Sequence, residues 1–246
     1  MVVHPSGIDL SSRTLRHLSG LLAGNRRRIR SRWRRLTCGR QALLVLAHLR
    51  PLCRGLPRRD RHYRYIHDAV DLLAALAPTL TEAMQSIRTK TFVILDDTLL
   101  SIDRIAADTP HYSGKHKRHG MNVQVLTDSF GRLVWASPAL AGSVHDLTAA
   151  RTHRIIRICE RQGIPILADR AYTGADPWIT TGRRRPPCGQ LTPTERTVNR
   201  ALATSRAPVE RGMARLKSSR IYRRSRCSPN RMTSIAKAVL TLERQS

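Results

Sequence analysis

The sequence predicts a mixed α/β fold: an all-helical N-terminal region, residues 1–88, followed by a sheet-containing domain, residues 89–246. Three observations carry that reading. Apolar residues recur at helical spacing in the first part, as in Ile66, Ala69, Val70 and Leu73. From Thr91 the pattern turns strand-like, in the runs Phe92–Leu100, Asn122–Leu126 and Leu133–Ala136. A helical stretch then leads to one more apolar run, Ile164–Ala168, which ends in Asp169.

In the N-terminal region a helix is predicted over Ser11–Leu22, followed by the basic run Arg26–Arg35. Arg32, Arg34 and Arg35 are its candidate phosphate contacts, because each neutralised phosphate releases counterions; a solvated charged face is the plain alternative. Gln41–Leu49, Tyr63–Leu76 and Pro78–Ile87 read as further helices. Between the first two of these, the prolines and glycine around Leu52–His62 break the helical pattern. Helices flanking an irregular connection fit a helix-turn-helix reader or a small bundle without base readout, and both stay open.

In the second region, Asp128-Ser129-Phe130-Gly131 supplies turn chemistry between strands two and three, so the first three strands form a meander. A helix is predicted over His145–Arg161, ended by Gly163. Three meandering strands, a helix and a further strand tipped by an acid are the opening half of a ribonuclease-H-like fold, with a mixed five-stranded sheet flanked by helices. There the first and fourth strands are neighbours, which brings Asp96 and Asp169 together. Adjacent carboxylates raise one another's proton affinity unless a cation sits between them, and Mg²⁺, with its preference for hard oxygen, suits that place.

Such a site wants a third acid. Thr194–Leu202 reads as helical, and Pro208 is well placed to open the next helix, on which Glu210 and Lys217 are two turns apart and share a face. Glu210 is the candidate, with a solvated salt-bridging face as the alternative. Asp146, at a helix start, suits the helix dipole and is an accessory candidate; strand order favours Asp169 as the second acid. A last apolar-faced helix is expected over Ile235–Leu242.

Composition narrows the partner. The chain has 44 Lys and Arg against 17 Asp and Glu, a formal net charge of +27. Such an excess seeks a polyanion, so nucleic acid leads over a basic membrane surface. No apolar run of transmembrane length and no signal-peptide pattern is present, so a cytoplasmic location is expected. The five cysteines, Cys38, Cys53, Cys159, Cys188 and Cys227, never form C-x-x-C, which argues against a zinc site or a disulfide framework.

The pieces Ile94-Leu95-Asp96-Asp97-Thr98, Tyr112-Ser113-Gly114-Lys115-His116, Gly142-Ser143-Val144-His145-Asp146, Ala168-Asp169-Arg170-Ala171-Tyr172, and Glu210-Arg211 with Leu216-Lys217 stand in one order along the chain. In this they resemble bacterial insertion-sequence transposases of the DDE superfamily, in the group named after insertion sequence five. The resemblance implies a nucleoid-associated DDE endonuclease and transposase with Asp96, Asp169 and Glu210 as metal-binding catalytic triad. It also matches Arg206 and Lys217 to a basic pair around the glutamate. Two departures stand out: Ala203 occupies the place of an expected tyrosine, and Asp97 that of a common glycine. The Leu52–His62 segment departs as well, in a way that an out-of-frame stretch of a decayed element would produce.

The implied reaction cuts double-stranded DNA at the element's terminal inverted repeats and joins the 3′ hydroxyls to target DNA. Two Mg²⁺ or Mn²⁺ ions would assist, by analogy with other two-metal sites. Lys115, Lys117, Arg118, Arg206, Arg211 and Lys217 would contact DNA, and a homodimer would hold two ends. The rivals are a metal-dependent nuclease without strand transfer and a catalytically decayed, basic DNA-binding protein; RNA is the runner-up partner.

Overall fold

The structure, a computed structural model, describes residues 12–31, 34–49, 60–103, 109–219, 222 and 227–245. It divides into two compact units, one of residues 1–77 with 214–246 and one of residues 78–213.

The first unit is helical, with α1 (Ser12–Arg28), α2 (Cys38–Leu49), α3 (Asp60–Ala75) and α9 (Pro229–Glu243). Its core follows the predicted apolar stripes: Leu18 and Leu22 of α1, Val45, Leu46 and Leu49 of α2, Ile66, Val70 and Leu73 of α3, and Ile235 and Val239 of α9 are all buried. Gln41 is buried among them and is satisfied: it accepts from Arg26 at 2.6 Å and donates to the Tyr65 carbonyl at 2.9 Å. Arg34 pairs with Asp68 and lies over the Tyr65 ring, which gives that member of the basic run a packing role. Arg35 is exposed, and Arg32 lies outside the described residues. So does most of the Leu52–His62 break, which leaves the helix-turn-helix expectation where the sequence put it.

The second unit is a sheet flanked by helices. Its strands are β1 (Val93–Ser101), β2 (Tyr112–Ser113), β3 (Arg118–Thr127), β4 (Leu133–Ala136), β5 (Leu140–Ala141), β6 (Ile166–Ala168) and β7 (Ile179–Thr180). The order is β2-β3-β1-β6-β7, with β4 and β5 also paired to β3. β3 runs antiparallel to β1, whereas β6 runs parallel to it, pairing Leu95 with Ala168. The sheet is therefore mixed as expected, but among the described residues it has seven strands; the additional short pairings at Tyr112, Leu140 and Ile179 lack a readable apolar run.

Helices pack this sheet. α4 (Leu80–Ser86) opens on a capping box between Thr79 and Glu82. The single helix expected over His145–Arg161 is two, α5 (Asp146–Thr152) and α6 (Ile155–Arg161). The chain breaks at Arg154, a left-handed residue with φ 54°, whose backbone cannot continue a right-handed helix. The two pieces still bury Ala149, Ala150, Ile155 and Cys159, so the apolar phase survives the break. α7 (Pro193–Arg206) is longer than the predicted Thr194–Leu202, and α8 (Pro208–Ser218) starts at the predicted proline.

The core cluster of Val93, Leu95, Leu126, Trp135, Ala150, Ile155, Cys159, Ile166, Ala168 and Tyr172 identifies one face of the sheet. The four cysteines described are free thiols, and Cys159 is pushed up to about 12 by burial. Among the described residues no helix is long and apolar enough to cross a membrane.

Glu243, at the end of α9, has a buried Oε1 without a hydrogen-bond partner. Burial pushes its carboxyl up to about 7, against the pull of the Arg215 charge. A carboxyl that holds its proton more tightly folded than unfolded stabilises fully below its unfolded value, and that stability is lost as pH rises through the folded one. Glu243→Gln is therefore expected to gain about 2 kcal/mol over wild type at pH 8 and almost nothing at pH 4, in urea melts at both pH values. An equal loss at both would contradict this.

Candidate active site

Side chains alternate across a strand, so the neighbours Asp96 and Asp97 of β1 face opposite sides of the sheet. Asp97 shares a face with Val93 and Leu95, which lie in the core cluster; Asp96 shares the other with Ile94 and Thr98. Two consecutive charges in a central strand thus enter two separate environments.

β6 ends at Ala168, which pairs with Leu95, and Asp169 follows it directly, near enough for its charge to act on Asp96. Asp169 also caps a short 3-10 turn, Arg170–Tyr172, its Oδ1 accepting from the Ala171 N–H at 2.8 Å. Arg206, in the last turn of α7, approaches Asp96 at 3.7 Å, an ion pair too long to be a hydrogen bond. Its Nε is buried without a partner.

The Asp96 carboxyl is pushed up to about 6, chiefly by burial. An N–H from Asp97 to Oδ1, 2.9 Å, works the other way. The charges of Asp97 and Asp169 add to the rise, and Arg206 offsets only part.

Glu210 is exposed in the first turn of α8. The junction residue Ala207 keeps helical angles, φ −50° and ψ −35°, and its N–H bonds back to Ala203 at 3.0 Å. Arg206 and Glu210, four residues apart, therefore lie on one side of the helical path. Among the described residues no three His, Cys, Asp or Glu side chains come close enough to hold one metal ion together. The Asp96–Asp169 pair nevertheless supplies the hard oxygen donors, one or two carboxylates, that Mg²⁺ takes from proteins.

On the opposite face Asp97 meets Asp146, from the start of α5. Lys115 joins them, its Nζ donating to Asp97 Oδ1 and to Asp146 Oδ2, both at 2.9 Å. Asn122 donates to Asp146 Oδ1 at 2.9 Å, Gln124 to Asn122 Oδ1 at 2.8 Å, and the buried Tyr172 hydroxyl to Gln124 Oε1 at 2.6 Å. Each donor in this chain finds an acceptor, as burial demands.

Burial and the Asp146 charge raise Asp97, while Lys115 lowers it. Burial alone would lower Lys115, but its bonds to the two carboxylates outweigh that and hold the ammonium above its ordinary value. Tyr172 is raised well above the usual phenol by burial and by the surrounding aspartates. A cleft of about 190 Å³ opens here, lined by Asp97, Lys115, His116, Asn122, His145 and Asp146.

Asp146 thus lies across the sheet from Asp96, bound to Lys115. Lys115 is committed to two carboxylates, whereas Lys117, Arg118, Arg211 and Lys217 are exposed. The sequence reading missed the chain from Asp97 through Asn122 and Gln124 to Tyr172. Its signal was present: two amides with alternating spacing in Asn122-Val123-Gln124-Val125 mark the same face of a strand that is buried from Gly120 onward.

A family model described as DDE superfamily endonuclease matches residues 95–244, well over half of the chain. The chain belongs to that family, whose description indicates a nuclease or transposase acting on DNA. Comparison with curated proteins and with solved structures finds no match.

Lys115→Met would leave Asp97 and Asp146 facing each other without their cation. With Lys115 half exposed, the loss at pH 7 is expected to be about 2 kcal/mol in urea denaturation. Adding Asp97→Asn should recover most of it by removing the repulsion, whereas additive losses would show that the ammonium is not what holds the carboxylates.

Proposed function

We propose that the chain is a DNA transposase of the insertion-sequence-five group. It would cleave at the terminal repeats of its element and transfer the 3′ hydroxyl ends to target DNA. The observation that carries this is the parallel pairing of β1, which bears Asp96, with β6, which Asp169 follows, within a chain of the DDE endonuclease family. The strand order, with an antiparallel meander on one side of β1 and parallel β6 and β7 on the other, supports a ribonuclease-H-like reading of the catalytic unit.

Asp96 and Asp169 would hold divalent cations, and Glu210, exposed in the first turn of α8, would join them only once DNA and metal draw the helix in. When bound, two such ions lower the pKa of the attacking water or hydroxyl and stabilise the leaving oxygen. The raised proton affinity of Asp96 fits this role: burial disfavours the bare charge, Asp97 and Asp169 add to the cost, and a cation would relieve both. Arg206 stands where it would balance the acids before DNA arrives and turn to a phosphate afterwards.

Lys117, Arg118 and Arg211 would track the backbone of the cleaved duplex. The helical unit, with its basic residues, would add sequence-independent affinity. A homodimer on DNA follows from the need to hold two ends at once.

Cleavage of a labelled element end in Mg²⁺ or Mn²⁺, followed by joining of a pre-cut end to plasmid, tests this. Asp96→Ala and Asp169→Ala are each expected to lower both steps by roughly 10³-fold, the scale of losing a group that stabilises developing charge. Asp146→Ala should retain cleavage wherever it folds. Retained activity without Asp169 but loss without Asp146 would overturn the assignment, and cleavage without joining would leave a nuclease.

A further inference from the structure

The chain has only two phenylalanines, and one of them, Phe130, stands at the tip of the β3–β4 turn with 61% of its surface exposed. A single exposed apolar side chain needs no explanation by itself. Three further features set this one apart.

The first is rigidity. Asp128 is buried, and its Oδ1 accepts from the N–H groups of Phe130 and Arg132, both at 2.9 Å. The backbone closes the same turn, Gly131 donating to the Asp128 carbonyl and Asp128 to that of Arg132, each at 3.0 Å. Gly131 has φ +79°, and a Cβ there would lie 2.1 Å from the Pro208 carbonyl oxygen, so the turn is seated against the first residue of α8. The ring is therefore presented from a fixed support.

The second is charge. Lys90 Nζ lies 5.3 Å from the ring centroid and Arg132 Cζ 5.4 Å, both within cation–π range. Arg132 is itself largely exposed and only loosely tied to Asp128, at 3.5 Å. Both cations can thus reach a phosphate beside whatever meets the ring.

The third is place. β3 ends at Thr127, which pairs with Ile94, two residues from Asp96, or roughly 7 Å along the strand. The turn's other contact, Pro208, stands two residues before Glu210. The turn that carries the ring therefore adjoins the start of the helix that bears Glu210.

We propose that Phe130 is a stacking platform for an unpaired or terminal nucleobase of bound DNA, with Lys90 and Arg132 holding the adjoining phosphates. Inside a duplex both faces of each base are already stacked, so only a frayed, flipped or overhanging base offers a free face to the ring. Stacking of this kind tolerates any base, because each has a π face. The proposal takes its ligand from the DNA-cleaving reading, but it concerns binding and is tested without cleavage.

The test uses the full chain in EDTA, with two DNA probes: a blunt duplex, and the same duplex bearing a short 3′ overhang that contains 2-aminopurine. Wild type is expected to bind the overhang more tightly and to change the 2-aminopurine emission. Phe130→Ala should weaken overhang binding by about ten-fold, leave the blunt duplex within about two-fold, and abolish the emission change. Phe130→Trp should preserve all three. The side chain is exposed, so unchanged thermal melting serves as the folding control.

Equal weakening on both probes, or none on either, would overturn the proposal. So would self-association of wild type in the absence of DNA that Phe130→Ala abolishes, because the ring would then belong to a protein contact. The two readings fail separately. A chain that gives the stacking signal but never cuts in Mg²⁺ or Mn²⁺ would remove the nuclease reading alone. A chain that cuts while Phe130→Ala binds like wild type would remove only the stacking site.

Discussion

The alternation of side chains along β1 is the constraint on which the site depends. Asp96 and Asp97 are consecutive, so the pleat sends one carboxylate to each face of a central strand. Placing two acids in the middle of a sheet is costly unless each finds compensation. The two faces meet that demand differently. Asp97 is answered within the fold: an ammonium bridges it to Asp146, and a run of amides and a phenol carries the hydrogen bonding into the core. Asp96 is answered only in part, by one backbone N–H and a guanidinium at 3.7 Å, while Asp169 adds a second negative charge. One face is satisfied within the fold, and the other keeps an uncompensated carboxylate.

This division bears on the residue that stands at position 97. A glycine there would place nothing between β1 and α5, and Lys115 would keep Asp146 alone. With aspartate present, the lysine becomes the bridge of a three-charge cluster and fixes the Tyr112–Lys117 segment against the start of α5. The same lysine is then bound to two carboxylates, whereas Lys117, Arg118 and Arg211 are exposed.

Much of the architecture was legible because its signals are local. The apolar run Val93-Ile94-Leu95, the turn residues Asp128–Gly131 and the proline opening α8 each announce their element through short-range chemistry. The pairing of β1 with β6 was legible for a topological reason: after a meander and a helix, a short apolar strand returns beside the first. What escaped depends on tertiary context. The break at Arg154 leaves the apolar phase of the helix intact, so periodicity shows nothing there. β2, β5 and β7 are two-residue pairings created by their neighbours. The bridge from Lys115 to Asp97 and Asp146 joins three segments far apart in the chain, and no motif of spacing encodes it.

The central claim is that Asp96 and Asp169 jointly bind a divalent cation, and calorimetric titration of Mn²⁺ into the DNA-free chain addresses it most directly. Wild type should bind at pH 7.5 and bind more weakly at pH 5.5, as protons compete for the raised Asp96 carboxyl. Asp96→Asn and Asp169→Asn should each weaken binding by at least about ten-fold, with Asp97→Asn close to wild type. Binding that survives loss of both Asp96 and Asp169 but disappears with Asp97 or Asp146 would place the cation on the other face of the sheet and contradict the account.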